Sequence, residues 1–277
     1  MRITVAFYGI PRCTHVSAPS IERQLLQPLR AAGEVSIVHH LWKIDRVTSA
    51  RSGEDARLAD DAYAWFDQFD GRVEPPERFE DGEPFQAWKS FGDDFGDNFG
   101  SLRNLMHQLQ SLKRATAMIA ATNPDVVVFA RPDLQYHDAI PLSACRLAAR
   151  FPRLCVVPIW NWWAGLNDRF AICGKSAYQS YGNRVDRAIA HARALGGPIH
   201  SESLVKFALR EAGVTTLAIP TTASRVRADG TIRPENFDSL ATSTLWRGQR
   251  DKINRLQCRV TRQVSKMIFS DAAWDKA

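Results

Sequence analysis

The chain has 277 residues, 45% of them apolar, with eight Trp and fourteen Phe, enough for a sizeable core and too hydrophobic for disorder over most of its length. No apolar run approaches the ~20 residues of a membrane-spanning helix, and five scattered cysteines without a CxxC pair argue against a disulfide framework or a zinc centre. The net charge of +6 conceals an asymmetry: residues 51–98 carry a balance of −9 and residues 241–277 one of +5, leaving +10 for the rest, which suits a phosphate-bearing partner.

The opening residues read as a buried strand, ITVAFYG, without the organisation of a signal peptide, so the expected location is the cytoplasm. A helix follows over SIERQLLQPLRAAG, with Ser20 as N-cap and Gly33 as its stop, then a strand, EVSIVHHLW. That β-α-β order is the entry to a parallel sheet. Residues 43–100 lose periodicity and read as an irregular acidic insertion with one short helix over residues 55–69; the spacing in DDFGDN does not fit a calcium loop. Helical spacing returns at 102, 105, 109, 112 and 119, capped by Ser101, and leads into the strand PDVVVFA. Then come a helix, LSACRLAARF, a strand, LCVVPI, an aromatic loop, WNWWAGL, a strand, FAICG, a helix opened by Ser176, a helix, SESLVKFALREAG, and a strand, VTTLAIP. In the tail, Ile253, Leu256, Val260, Val264 and Met267 share a helical stripe, with Arg250, Arg255, Arg259, Arg262 and Lys266 largely off it. That pattern fits a helix lying on an anionic membrane surface through 245–268 and equally a helix packed on its own domain.

Two strands end in charges that a strand does not need: the first at Gly9, Pro11 and Arg12, the later one at Arg131, Pro132 and Asp133. Ligands of open α/β sheets bind at that carboxyl edge, and arginines with an aspartate there point to an anionic ligand, with or without a metal ion. Walker, GxGxxG, HExxH and GxSxG signatures are absent. No recognised nucleic-acid motif occurs, and no nucleic-acid partner is expected.

The order of motifs is itself informative: Gly9-x-Pro-Arg12, then His39-His40-Leu-Trp42, then Ser101, Asn104, Gln108 and Ser111 on one helix, then Arg131-Pro-Asp133-Leu, Asn167-Asp168-Arg169-Phe-Ala and His200-Ser-Glu202. From Arg2 to about Pro220 the chain resembles bacterial glycosyltransferases of GT-A fold that assemble cell-surface polysaccharide and lipopolysaccharide. The resemblance implies an α/β fold with a mostly parallel mixed sheet flanked by helices, one domain over 1–240 with the tail 241–277 beside it, and transfer of a sugar from a nucleoside diphosphate sugar to a saccharide or lipid-linked acceptor. It implies a cytoplasmic enzyme, peripheral to the inner face of the membrane if the tail docks.

Residue by residue, the resemblance assigns Gly9, Arg12, Arg103, Asn104, Arg131 and Asp133 to the nucleotide sugar, with Gln108 beside them; the plainer alternative for Arg12 is an ion pair at the sheet edge. Arg131-Pro132-Asp133 stands where the family carries an Asp-x-Asp metal motif. With the first aspartate an arginine, either Asp133 alone holds Mn2+ or Mg2+ with the diphosphate, or Arg131 replaces the ion's charge. Asp168 and Glu202 are the implied catalytic carboxylates, and Trp162, Trp163, Arg169 and His200 the implied acceptor contacts. The alternatives are tryptophans in the core, Asp168 paired with Arg169, and Glu202 as a helix-dipole partner. His137 and Asp138 are supplementary candidates. A non-catalytic protein of the same fold that binds a nucleotide sugar or polyanion is the second reading.

Overall fold

The computed structural model describes residues 1–163, 165–237 and, in the tail, Gln263, Val264 and Met267. Strand β1 (Arg2–Gly9) is buried from Ile3 to Tyr8, as a strand covered by helices on both faces must be. Helix α1 (Thr14–Ile21), a π turn (Glu22–Leu26) and α2 (Gln27–Ala32) follow without a break. The helix therefore starts well ahead of Ser20, which is not its cap. Ser20 is buried, donates to the Ser17 carbonyl and accepts the Tyr136 N–H at 3.0 Å. Pro19, which has no N–H, lies just before the π turn. Gly33 ends the helix as expected, but in extended backbone, where a Cβ would overlap the Met1 carbonyl.

Strand β2 (Glu34–Trp42) pairs parallel to β1. The 43–100 segment is more ordered than expected: β3 (Arg46–Ser49) and β4 (Glu54–Arg57) form a hairpin, and β5 (Asp70–Glu74) extends the main sheet beside β2. Its only α-helix among the described residues is α3 (Glu83–Lys89), not a helix over 55–69. There the chain makes a 3-10 turn that packs Phe66 against Phe7, ring centroids 5.6 Å apart, so burial of an aromatic cluster overrides the local period. Helix α4 (Gly100–Ile119) is capped by Asp97, whose carboxylate accepts the Ser101 N–H at 2.9 Å and the Ser101 hydroxyl at 2.7 Å, rather than by Ser101. Its buried Leu102, Met106, Leu109, Leu112 and Ile119 each contribute about 1.5–3 kcal/mol.

The chain continues through β6 (Val126–Ala130), β7 (Leu134–Tyr136), α5 (Leu142–Arg150), β8 (Leu154–Pro158) and β9 (Phe170–Gly174). The helix expected from Ser176 is split into α6 (Tyr178–Gly182) and α7 (Ala188–Leu195) by a 3-10 turn. Then come α8 (Ser201–Glu211), β10 (Thr215–Ile219) and β11 (Ala223–Arg225). The seven-stranded sheet runs β10-β8-β9-β6-β1-β2-β5, with β9 antiparallel to both neighbours and the other pairs parallel. Mostly parallel, mixed and flanked by helices, it has the α/β architecture that the sequence implied. One apolar core lies beneath α4 and α8, the other beneath α1, α2 and α5.

The tail and its proposed membrane stripe lie outside the described residues, apart from Gln263, Val264 and Met267, which are helical. Among the described residues no helix is long and apolar enough to cross a membrane.

Candidate functional site

Neighbours in the sheet bring the charged strand ends together. β1 has β2 on one side and β6 on the other, so the chain reverses its direction of travel across the sheet between β1 and β6, which is where open α/β sheets bind ligands. Phe7 pairs with Ala130, and Ala130 with Phe170. Because β9 is antiparallel, its start lies at the same edge as the ends of β1 and β6. Arg12, Arg131, Asp133, Asp168 and Arg169 thereby converge.

Asp133 is the centre of this cluster and is buried. Arg131 grips it with two bonds, Nε to Oδ1 at 2.9 Å and Nη2 to Oδ2 at 2.7 Å, and Arg12 pairs with Oδ2. Burial alone would push the Asp133 carboxyl up, but Arg131 and Arg12 outweigh it and hold the group well below the usual carboxylate range. Arg12 also meets Glu54 of β4 at 3.2 Å, and Arg227 meets the same carboxylate at 2.7 Å. Arg131 and Arg12 keep 13% and 18% of their side chains exposed, against 1% for Asp133, so an incoming anion meets guanidinium first.

Gln108 bridges the Arg131 guanidinium and the Asp168 carboxylate. Its carbonyl accepts from Arg131 Nη1 at 3.1 Å and its amide donates to Asp168 Oδ2 at 3.1 Å. Asp168 is buried and also accepts from the Ser201 hydroxyl at 2.6 Å and from Arg169 Nη1 at 2.9 Å. Against burial, which raises it, Arg169, Arg131 and Ser201 hold the Asp168 carboxyl far below its ordinary range. Glu202, in the first turn of α8, moves the other way: burial and the nearby Asp168 charge raise it, despite a contact with His200 Nδ1 at 3.4 Å. Two neighbouring carboxyl groups thus have their proton affinities driven apart, an arrangement that separates acid–base roles.

The other sequence candidates divide. Gly9 adopts φ +107°, open only to glycine without strain, and its N–H donates to Ser111 Oγ at 2.8 Å. Arg103 and Asn104 are exposed on α4; Asn104 stands one turn before Gln108 at the rim, whereas Arg103 lies one turn before His107, on the side facing Trp42. Trp162 is core, its indole N–H held by the Pro158 carbonyl at 2.6 Å, and Trp160 is also buried; neither offers a face to an acceptor. Trp163 does, 40% exposed with φ +40°, a conformation that a bulky residue adopts only under constraint. His137 and Asp138 hold β11, through Ser224 Oγ at 2.8 Å and the Thr222 N–H at 2.9 Å.

Four participants escaped sequence reasoning. Glu54, Arg225, Arg227 and Glu235 reach the cluster only because β11 pairs with β7 and the β3–β4 hairpin folds over it. The Arg-rich stretch SRVRADGTIR was a signal in plain view, without a partner that sequence could name.

The donor set does not fit a resident divalent ion. Both Asp133 oxygens are taken by guanidinium groups, and no group of three or more His, Cys, Asp or Glu side chains among the described residues is disposed around a cation. Clefts of about 390 Å³, lined by His15, Glu22, Asp61 and Trp65, and about 430 Å³, lined by His40, Arg72, Glu74 and Arg114, lie away from the cluster, where arginine side chains fill the sheet edge.

No protein-family model matches the sequence, and no curated protein is similar to it. Among solved structures, mouse xyloside xylosyltransferase 1 in its apo form is similar over 79% of this chain and 85% of its own, at 10% identity and a TM-score of 0.42. A Desulfovibrio desulfuricans G20 protein provisionally assigned as a nucleotide-diphospho-sugar transferase is similar over 95% of this chain and 97% of its own, at 12% identity and a TM-score of 0.37.

Proposed function

We propose that the chain is a glycosyltransferase that moves a sugar from a nucleoside diphosphate sugar to a saccharide acceptor without a resident metal ion. The observation that carries this reading is the Arg12–Asp133–Arg131 cluster at the switch point of a mostly parallel sheet. Guanidinium pairs suit a diphosphate, which they bind bidentately. In the reaction, the bond from the sugar's anomeric carbon to the diphosphate oxygen breaks, and one to the acceptor hydroxyl oxygen forms. Arg131 and Arg12 stabilise the charge on the departing diphosphate. Glu202 takes the acceptor proton, because its raised proton affinity matches a general base better than that of Asp168. Asp168 stays ionised and, through Gln108, holds Arg131 in place. The motif resemblance supports a place in cell-surface glycan assembly, with a saccharide or lipid-linked acceptor.

A second reading, a protein that binds the nucleotide sugar without turnover, is favoured by one observation, the closure of both Asp133 oxygens by arginine. One experiment separates the two. Thermal shifts with UDP, GDP, CDP and their sugars are measured in EDTA and in Mn2+; a ligand at 100 times its Kd stabilises by about 2.7 kcal/mol. One nucleotide family is expected to stabilise the protein equally under both conditions, with the shift lost in Arg131→Met, and the matching sugar to be released or transferred over time. Binding without release of nucleoside diphosphate selects the second reading, and a shift that needs Mn2+ refutes the metal-free mechanism.

A further inference from the structure

The site holds a second group of arginines whose charge is not balanced. Arg12, Arg131 and Arg227 share Asp133 and Glu54. On the side of His200 and Glu202 stand Arg51, Arg169, Arg225 and Arg233, and among the described residues Arg51 and Arg233 make no ion pair. Backbone pairing puts Arg225 and Arg233 opposite each other: Val226 bridges Ile232, and the Arg233 N–H donates to the Arg225 carbonyl at 2.9 Å. Like charges directly opposite across two strands are destabilising, and Glu235, 3.0 Å from Arg225 Nε, answers only one of them. Burial, the positive Arg169 and further arginines push Arg225 down to about 9 even with that carboxylate beside it.

Two further contacts define the place. The Arg51 guanidinium stacks on the Phe95 ring at 3.6 Å, and that ring lies 6.2 Å from the His200 ring, so Arg51 stands beside the His200–Glu202 end of α8. Arg169 has a side chain nine-tenths buried, and its Nε has no hydrogen-bond partner. A buried donor left unmade is costly; with Arg169 paired to Asp168 and Arg225 to Glu235, Arg51 and Arg233 leave the group with positive charge in excess, which is the surface that recognises phosphate or carboxylate.

We infer that this second group binds an anionic substituent, a phosphate or a carboxylate, carried by the saccharide acceptor. The inference rests on the transferase reading for the word acceptor and on the arginine geometry for the anion. Arg169 and Arg225 form the inner contacts, and the exposed Arg51 and Arg233 the rim.

The test is calorimetric titration of the full chain with mannose 6-phosphate, glucuronate, neutral glucose and inorganic phosphate, and separately with UDP, GDP and CDP. One anionic sugar is expected to bind at least tenfold more tightly than both glucose and inorganic phosphate, and at least tenfold more weakly to an Arg51→Gln/Arg233→Gln variant whose melting curve shows it folded. Whether the phosphate or the carboxylate arm responds identifies the substituent. Glucose or inorganic phosphate binding as tightly as the anionic sugars, no binding of either anionic sugar, or binding that survives in the double variant but is lost in Arg131→Met would each overturn the inference. Nucleotide binding without anionic-sugar binding defeats this inference alone. Anionic-sugar binding without nucleotide binding defeats the transferase reading and leaves the anion site standing.

Discussion

Glu202 is the side chain whose chemistry departs furthest from expectation. As a first-turn residue of α8 it looks like a simple helix-dipole partner, yet it is buried beside the ionised Asp168. An acid whose pKa is raised on folding contributes stability that is present below its unfolded pKa and lost as pH rises through the folded value. The contribution of Glu202 is therefore expected to be lost as pH rises from about 4 through the upper carboxylate range, read as the difference between the parent and Glu202→Gln. Glu202→Gln abolishes that loss, so its melting temperature at pH 7 is expected to exceed the parent's, while activity falls; melting curves at pH 4 to 8 check the first point. Asp133 has the opposite sign. Its carboxyl is depressed, so its contribution is present above the unfolded carboxylate pKa and fades as pH falls toward the folded value. Asp133→Asn leaves Arg131 and Arg12 buried against a neutral amide and is expected to cost about 3–5 kcal/mol, measured by urea unfolding at pH 7, with the difference shrinking below pH 4.

At the scale of elements, the loop before β9 and the start of α8 act as one piece. The Leu166 N–H donates to the Glu202 carbonyl at 2.9 Å, and a Cβ on Gly165 would overlap the Glu202 backbone. Gly165→Ala must therefore separate the loop carrying Asp168 from the helix carrying Ser201 and Glu202. The expected outcome is a fall in kcat larger than the rise in KM, with stability reduced by about 1–3 kcal/mol; steady-state kinetics alongside a denaturant melt test it. A variant with a wild-type kcat would show that the two carboxylates need not be held together. The element boundaries also show what a local reading can reach. β1 and β6 were legible because both faces are buried and their sequences run almost continuously apolar, and β2 because its β-branched residues follow the Gly33 helix stop and its second half is buried. The caps at Ser20 and Ser101 were misplaced because serine at a helix start is a local preference. Here Ser20 bonds across to β7 and Asp97 reaches Ser101 from the preceding loop.

For the whole molecule, the charge asymmetry of the sequence becomes spatial. The acidic 43–100 segment supplies Glu54, which folds against Arg12 and Arg227, and an edge strand, β5. What composition marks as an insertion is thus part of both the sheet and the site. Deleting the β3–β4 hairpin is expected to leave Arg12 and Arg227 without their shared carboxylate and to raise the salt sensitivity of anion binding, read by titrating inorganic phosphate at several ionic strengths. Sequence by itself determined the α/β class, the principal strands and helices, and the delivery of Arg12, Arg131, Asp133 and Asp168 to strand ends, because burial periodicity and the interruption of apolar runs are local signals. Only the tertiary structure decided that Arg131 closes Asp133 to a cation, that Trp162 is core while Trp163 is exposed, and that β11 brings in Arg225 and Glu235. Those outcomes depend on which residues distant in the chain become neighbours, and on charges whose effect grows as burial lowers the dielectric around them.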